Sequence, residues 1–494
     1  MRWHRDLCLV VASTLLLSGM HAQDSLIQWS PSISIPKSED ILDFTLVDDN
    51  VPVLISQFGE ALIMRNFLPT EEDRPIFIRS AGDARLVAKN LTGDVVTMLE
   101  KPGKLNGGRY RLSRSRLSSS AVTKFYTHDF QMSRKAQNGL QNPLILAVSE
   151  RGETVAICQQ QIFQRASKGE INVLITSDER SRLFHLPSDY DSDDIELLGA
   201  TVDTAGIVYL GVVAGVKLNS PFRKRYLIYS FNPSDSVLTE FDLSSQDLFI
   251  RDVVIHATDE GLYVAALYNS DPLEEYKSSG YVFIKLTKDG KEIEQRIIST
   301  FDPSFVAEYE GAEAGNGAGV SNIYVQDILH LGQNPVLAIE KHYQDQLCTA
   351  DPRTGMMNCT DQFHFEAITL IDILGQRTLM SVGRHQIDYD KKSPYSSHAS
   401  TELSEGEQFF LYNDHFKNED IRSEKVMNNP SRSVPRFVRI QPSGEFISST
   451  LTQDRQTEFV FTPKFGICSH EQTVFILSMN NRNLRVGTVS TTEL

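Results

Sequence analysis

Residues able to hold a ligand or move a proton recur in this chain at the ends of apolar, strand-like runs. Leu267-Tyr268-Asn269, Ile339-Glu340-Lys341-His342 and Leu411-Tyr412-Asn413-Asp414 each close such a run, with Lys417 and Asn418 just beyond the third. Arg384-His385 opens a segment between two further runs. Asparagine offers both donor and acceptor, so it pairs with sugar hydroxyls or peptide backbone; aspartate beside histidine can manage a proton. The candidate ligand-binding set is therefore Asn269, Glu340, Lys341, His342, Arg384, His385, Tyr412, Asn413, Asp414, Lys417 and Asn418. The plainer account is that Asn and Asp terminate strands and cap turns. As a binding site, the set predicts that Asn413→Ala, Asp414→Ala and His342→Ala each weaken binding by about 1 kcal/mol without unfolding the chain.

Other chemistry is not legible. The chain shows no nucleophile elbow, zinc-protease histidine pair, phosphate loop or dinucleotide fingerprint in a suitable context, and no Cys-x-x-Cys. Asp189, Asp191 and Asp193 alternate as in a calcium loop. Asp194 stands where that loop needs Gly and Ala200 where it needs Glu, so an EF-hand fails. No catalytic residue, metal or cofactor is expected. Lys101, Lys104, Arg109, Arg111, Arg114 and Arg116 form a basic stretch that suits an acidic glycan or, more simply, a solvated strand face.

Positioning the candidate residues falls to a repeated unit of apolar strand, tight turn and apolar strand. Runs 41–46 and 51–56 flank Asp48-Asp49-Asn50, 253–256 and 262–268 flank Asp259-Glu260-Gly261, 323–331 and 336–340 flank Gly332-Gln333-Asn334, and 398–403 and 408–412 flank Glu405-Gly406. A second hairpin follows most of these, turning at Pro233-Ser234-Asp235, Lys288-Asp289-Gly290, Leu374-Gly375 and Pro442-Ser443-Gly444. Four strands per unit, at intervals of roughly 50–75 residues, predict an all-β propeller of four-stranded blades. Seven hairpin starts favour seven blades. The interval from Asp48 to Gly152 is about twice the others, which leaves six or eight open. The last unit has only three strands before the chain ends, and an isolated strand at 26–35 is predicted to complete it and close the ring. The predicted organisation is a signal peptide at 1–22, an N-terminal β region at 23–138 and propeller repeats at 139–494. Segments 269–280, 342–364 and 413–434 follow second strands, and 300–321 and 384–397 join units. In an up-and-down sheet these all emerge on one face, the usual binding face of a repeat protein.

The stretch 367–447 resembles the C-terminal part of uncharacterised secreted propeller-like proteins of Bacteroidetes-type bacteria. The matching residues are Arg384-His385-Gln386, Tyr395-Ser396-Ser397, and Phe410-Leu411-Tyr412-Asn413-Asp414 with Lys417-Asn418. That family tends to carry Pro-Lys-x-Gln where this chain has Gly383-Arg384-His385-Gln386. The resemblance covers about a fifth of the chain and implies fold and export, with no activity attached.

Export is also read from the N-terminus. Arg2 and Arg5 precede an apolar run from 7 to 17, followed by small and polar residues to Ala22, a secretory signal with cleavage expected after Ala22. Lipid anchoring would need Cys where Met20 stands. No later run approaches the ~18 apolar residues of a membrane span, so a soluble secreted or periplasmic protein is expected. Of five cysteines, Cys8 leaves with the signal. Cys348 and Cys359 flank the turn Asp351-Pro352-Arg353-Thr354-Gly355 and are predicted to form a disulfide across a hairpin. Cys158 and Cys468 lie in apolar runs and read as free thiols. Across 494 residues, Asp+Glu 64 exceed Lys+Arg 48, a formal charge of −16, which argues against nucleic acid or an anionic membrane as partner. A non-catalytic module binding a protein or glycan is the favoured function. The alternative is a propeller enzyme acting on polysaccharide, disfavoured because paired carboxylates at glycosidase spacing are not visible.

Overall fold

The computed structural model describes residues 26–492 except for 49, 60, 68–75, 80–82, 90–94, 102–108, 120, 132–143, 150–151, 162–167, 178–179, 217–223, 245–247, 272–273, 275, 312–318, 351–352, 391–392, 404–405, 419–424 and 452–458. The signal segment lies outside the described residues. The chain is all-β, a repeat of small antiparallel sheets, each an up-and-down run of neighbouring strands. Seven four-stranded sheets span 39–79, 83–131, 144–191, 195–242, 249–300, 323–388 and 398–450. An eighth is built on Ile467–His470, Thr473–Asn480 and Asn483–Ser490. The structure thus has eight such sheets among the described residues, where seven hairpin starts were legible. The doubled interval between Asp48 and Gly152 holds one whole sheet of its own, 83–131, between the first sheet at 39–79 and the third at 144–191.

Burial explains why the strands read as they do. The second strands Thr154–Gln161, Val208–Ala214, Leu262–Asn269 and Gln408–His415 are buried at every residue. A strand covered on both faces has no solvent side to mark with polar residues, so it appears as an apolar run, with polar residues gathered at its ends as at 159–161 and 413–415. Fourth strands such as Val237–Asp242 and Ile293–Thr300 are largely exposed and correspondingly polar.

Eight hydrophobic clusters join the sheets, each shared by two consecutive ones. The second and third sheets meet through Leu99, Leu112 and Phe130 against Val155, Ile157 and Leu174, so packing runs across the boundary expected at 138. The last cluster sets Phe44, Leu46 and Leu54 of the first sheet against Phe475, Leu477 and Val486 of the eighth. As predicted, the N-terminal segment adds to the eighth sheet: Gln28–Trp29 and Ile33–Ser34 both pair antiparallel with Asn483–Ser490. Gly487 permits this, because a Cβ there would stand 2.5 Å from Ile27 and 2.8 Å from Trp29.

A further regularity is a register slip in the first strand of five sheets, at 41/43, 84/86, 197/199, 250/252 and 325/327. At three of them an aspartate accepts the next residue's N–H: Asp43 from Phe44 (2.9 Å), Asp252 from Val253 (3.0 Å) and Asp327 from Ile328 (2.8 Å). The other oxygen of Asp252 accepts from Val325 N at 2.7 Å, tying the fifth sheet to the sixth. Burial raises the carboxyl pKa of both Asp252 and Asp327.

In the sixth sheet the two middle strands, Asn334–Ala350 and Met357–Asp372, outrun their neighbours. Pairing with the first strand stops at Ile323↔Lys341 and with the fourth at Phe363↔Asp388. Beyond those points the segment 342–364, expected as a long connection, is instead a projecting two-stranded arm. Cys348 faces Cys359 directly and the predicted disulfide is formed, with Cα atoms 4.1 Å apart. Cys158 is a buried thiol outside any disulfide, its pKa pushed by burial up to about 12, and Cys468 directs its S–H at Phe44 O. Because the arm contacts the core only at its base, reducing the disulfide is expected to leave the main unfolding transition in place. Closing so short a loop contributes about 3 kcal/mol to holding the arm, so amide exchange across 343–362 should rise by up to about a hundredfold. A lowered global transition would show that the arm is part of the core.

Candidate functional site

Alternation along the strand 334–350 sends Glu340 and His342 to one side of the sixth sheet and Lys341 and Tyr343 to the other. Two clusters follow, built on opposite faces.

On the side facing the seventh sheet, Glu340 and Arg384 form a fully buried ion pair. Ser397 Oγ donates to the Glu340 carboxylate at 3.1 Å, and His398 Nδ1 lies 3.5 Å away. Burial opposes charge on Glu340, but Arg384, aided by His398 and His342, outweighs it and holds the carboxyl down at about 2. Arg384 Nη1 donates to Ser397 O at 2.6 Å, and its guanidinium lies over the rings of Phe365 and Tyr412 at 5.9 and 6.0 Å. Beyond Tyr412, Asp414 and Arg436 make a second buried ion pair at 3.2 Å. Asp414 Oδ1 accepts from Asn418 Nδ2 and from His415 N, both at 2.7 Å. Asn413 Nδ2 donates to Tyr395 O (3.1 Å) and Phe461 O (2.9 Å), bridging the inter-sheet segment and the eighth sheet.

On the other side stand His364, Glu366 and His385. Tyr343 stacks on the His364 ring with centroids 4.4 Å apart and planes 8° apart. Tyr343 OH donates to Glu366 Oε1 at 2.9 Å, and Lys341 Nζ lies 3.3 Å from Glu366 Oε2 and 3.8 Å from Glu310. Burial lowers the pKa of His385. Burial also lowers that of His342, against the pull of Glu340; its ring stacks on Tyr324 at 4.3 Å.

Eight of the eleven sequence candidates thus lie on the sixth and seventh sheets on the side where the two face each other or at the end of the seventh, while Lys341 and His385 stand on the opposite face of the sixth. Asn269 lies apart; it caps its own segment in the fifth sheet, donating to Glu274 O (2.7 Å) and accepting from Asp271 N and Ser279 Oγ. The expectation that Asn413→Ala and Asp414→Ala would spare the fold is corrected. Both side chains are buried on internal partners, and removing such a partner leaves another polar group unpaired at about 1–3 kcal/mol. His342, Lys341 and His385 keep part of their surface, and Lys417 is exposed over the Phe416 ring. Sequence reasoning passed over Tyr343, His364, Glu366, His398 and Arg436. His364-x-Glu366 opposite Arg384-His385 was the available signal.

Among the described residues of the basic stretch, Arg114 is buried, Arg111 is paired with Asp129 at 2.7 Å and Arg116 is exposed. The tight-turn ends, expected to be minimal, hold a cavity of about 810 Å³ between the third and fourth sheets, lined by Glu153, Arg180, Arg182, Phe184, Thr204 and Ser234. No helix among the described residues is long and apolar enough to cross a membrane.

No family model matches the chain and no curated protein matches it, so the resemblance noted above gains no support there. Solved structures similar to it include the WD40 domain of SCAP from fission yeast, 11% identical over 95% of this chain and 99% of that one, with a TM-score of 0.39. An uncharacterised protein of Listeria monocytogenes is 9% identical over 92% of this chain and 95% of its own, also with a TM-score of 0.39. Prolyl oligopeptidase B of Galerina marginata is 9% identical over 76% of this chain and 55% of its own, at 0.33. At such scores these likenesses say nothing about the site.

Proposed function

We propose that the chain is an exported β-propeller of eight blades that binds a protein or glycan through the face formed by segments 269–280, 342–364, 384–397 and 413–434, without catalysis. The ring reading rests on the eight inter-sheet clusters, the last of which returns to the first sheet. The face rests on one observation: these segments hydrogen-bond to one another into a continuous belt. Asn322 N donates to Tyr276 O and His342 N to Asn322 O, at 2.9 and 3.0 Å. Met427 N donates to His385 O and Ile387 N to Met427 O, at 2.7 and 3.0 Å. Asn413 bridges to Tyr395. From the belt rises the arm, whose tip presents Leu347, Met356 and Met357 at 50%, 68% and 60% exposure beside the disulfide. Apolar groups displayed on a polar, disulfide-stapled hairpin suit recognition, and an exposed disulfide suits an oxidising compartment.

Glycoside hydrolysis needs a carboxyl group still protonated near neutrality. Glu340 is held in the opposite state, at about 2, and Asp414 is committed to Arg436. That favours binding over the polysaccharide-cleaving alternative.

The test is a glycan array and a protein pull-down with the purified chain, followed by replacement of 346–361 with a two-residue Asn-Gly turn between the paired Asp345 and Gln362. Binding should fall at least about tenfold, the size of one interface hot spot, with the melting temperature unchanged. Undiminished binding by the armless chain, together with loss in Arg182→Ala at the opposite cavity, would move the site to the other face. Release of reducing sugar ends by the parent would establish the enzyme reading instead.

A further inference from the structure

We propose that His364, Glu366 and His385 form a binding site for a zinc-class divalent cation. One ligand atom from each of the three lies within 4.8 Å of the others. His364 Nδ1 and His385 Nε2 are 3.4 Å apart. Two nitrogens that each sit about 2.05 Å from a tetrahedral ion stand about 3.4 Å from one another, so the rings already hold the spacing of ligands. Contact between two neutral imidazoles satisfies at most one N–H. His364 Nε2 remains buried without a hydrogen-bond partner, on a ring only 7% exposed. A cation shared by His364 Nδ1 and His385 Nε2 would take the place of that single ring-to-ring contact, with the proton of His364 carried on Nε2.

The supporting groups are those a metal site needs. Tyr343 orients two of the three ligands at once, stacking on His364 and donating to Glu366 Oε1. Outer-sphere contacts of this kind fix ring orientation and carboxylate position. The backbone is adapted as well. Pairing slips at Glu366 against both neighbouring strands, between 365 and 367 on the side of Arg377–Asp388 and at Lys341/His342 on the other. Such bulges re-aim a side chain beside functional sites. Two imidazoles and one carboxylate are a borderline donor set, suited to Zn²⁺ and Co²⁺ more than to Ca²⁺ or Mg²⁺, and three protein ligands leave a fourth position for water. The site lies on the face opposite the Glu340–Arg384 pair and does not depend on the partner-binding proposal.

The experiment is titration of the chelator-stripped full chain with Co²⁺, read by its visible ligand-field bands, then competition with Zn²⁺. One equivalent of Co²⁺ should bind and be displaced by Zn²⁺, and Zn²⁺ should raise the melting temperature. Glu366→Gln and His385→Gln should each weaken binding at least about tenfold and abolish the thermal shift, while Tyr343→Phe should weaken it by about tenfold through the lost orienting bond. Melting of the metal-free variants checks that they fold, and Tyr343→Phe keeps the test decisive if a ligand variant does not. Absence of stoichiometric Co²⁺ binding by the parent, or binding unchanged in all three variants, overturns the site.

Discussion

Arg384→Met is expected to destabilise the chain by about 3–5 kcal/mol, because it leaves Glu340 as a buried charge without its main partner. The double change Glu340→Gln with Arg384→Met should recover part of that loss, since no buried charge remains. The pH dependence gives a second reading. Glu340 is held at about 2 against the ordinary 4.5, so the stability it contributes is complete above 4.5 and lost as pH falls toward 2. In Arg384→Met, burial acts with less opposition and moves the carboxyl upward, so acidification from neutrality relieves the variant and narrows its deficit. Urea unfolding at pH 7, 5 and 3 measures both. Equal midpoints for parent and variant at pH 7, or a deficit that widens on acidification, would remove this pair from the account of stability.

Deleting residues 26–36 should cost about 3–6 kcal/mol and promote self-association. Ile27 and Ile35 are each 3% exposed, and burying an isoleucine is worth about 1.5–3 kcal/mol. Hydrogen bonds go with them: Ser30 N to Val486 O at 2.8 Å and Ile35 N to Arg482 O at 2.9 Å. Arg485 loses the Trp29 ring that it covers at 4.1 Å. The strand Asn483–Ser490 is then a bare edge, which invites pairing with another copy. Guanidinium unfolding and light scattering report the two effects. A deletion chain as stable and as monodisperse as the parent would show that the segment only decorates the eighth sheet. Gly487→Ala offers a milder version, since its Cβ would meet Ile27 and Trp29 without removing either.

Features resting on a few adjacent residues were legible in the sequence. The disulfide followed from Cys348 and Cys359 around Asp351-Pro352-Arg353-Thr354-Gly355, because turn chemistry sets hairpin register locally. The doubly covered second strands announced themselves as apolar runs, since burial on both faces disfavours charge except where a buried partner neutralises it, as at Glu340 and Asp414. Even the pairing of 26–35 with the last sheet followed from counting strands. The sheet at 83–131 was hidden because its first strand, Asp83–Lys89, carries charge at both ends and Arg85 within.

The site was decided elsewhere. Strand order brought most of the candidates to the sixth and seventh sheets but divided them between two faces and left Asn269 apart; Glu340, Arg384, Asn413 and Asp414 read as ligand-facing and are enclosed. Ser397, His398, Tyr395 and Phe461 reach them from other sheets and connections, and Arg436 from the neighbouring strand of the seventh sheet. The His364–Glu366–His385 cluster needed a register slip that no periodicity announces. Secondary structure and turn register depend on interactions within a few residues, which the order of amino acids states directly. Whether a polar side chain meets solvent, a counter-charge or a metal depends on which distant sheet packs over it, and that is settled only when the sheets come together.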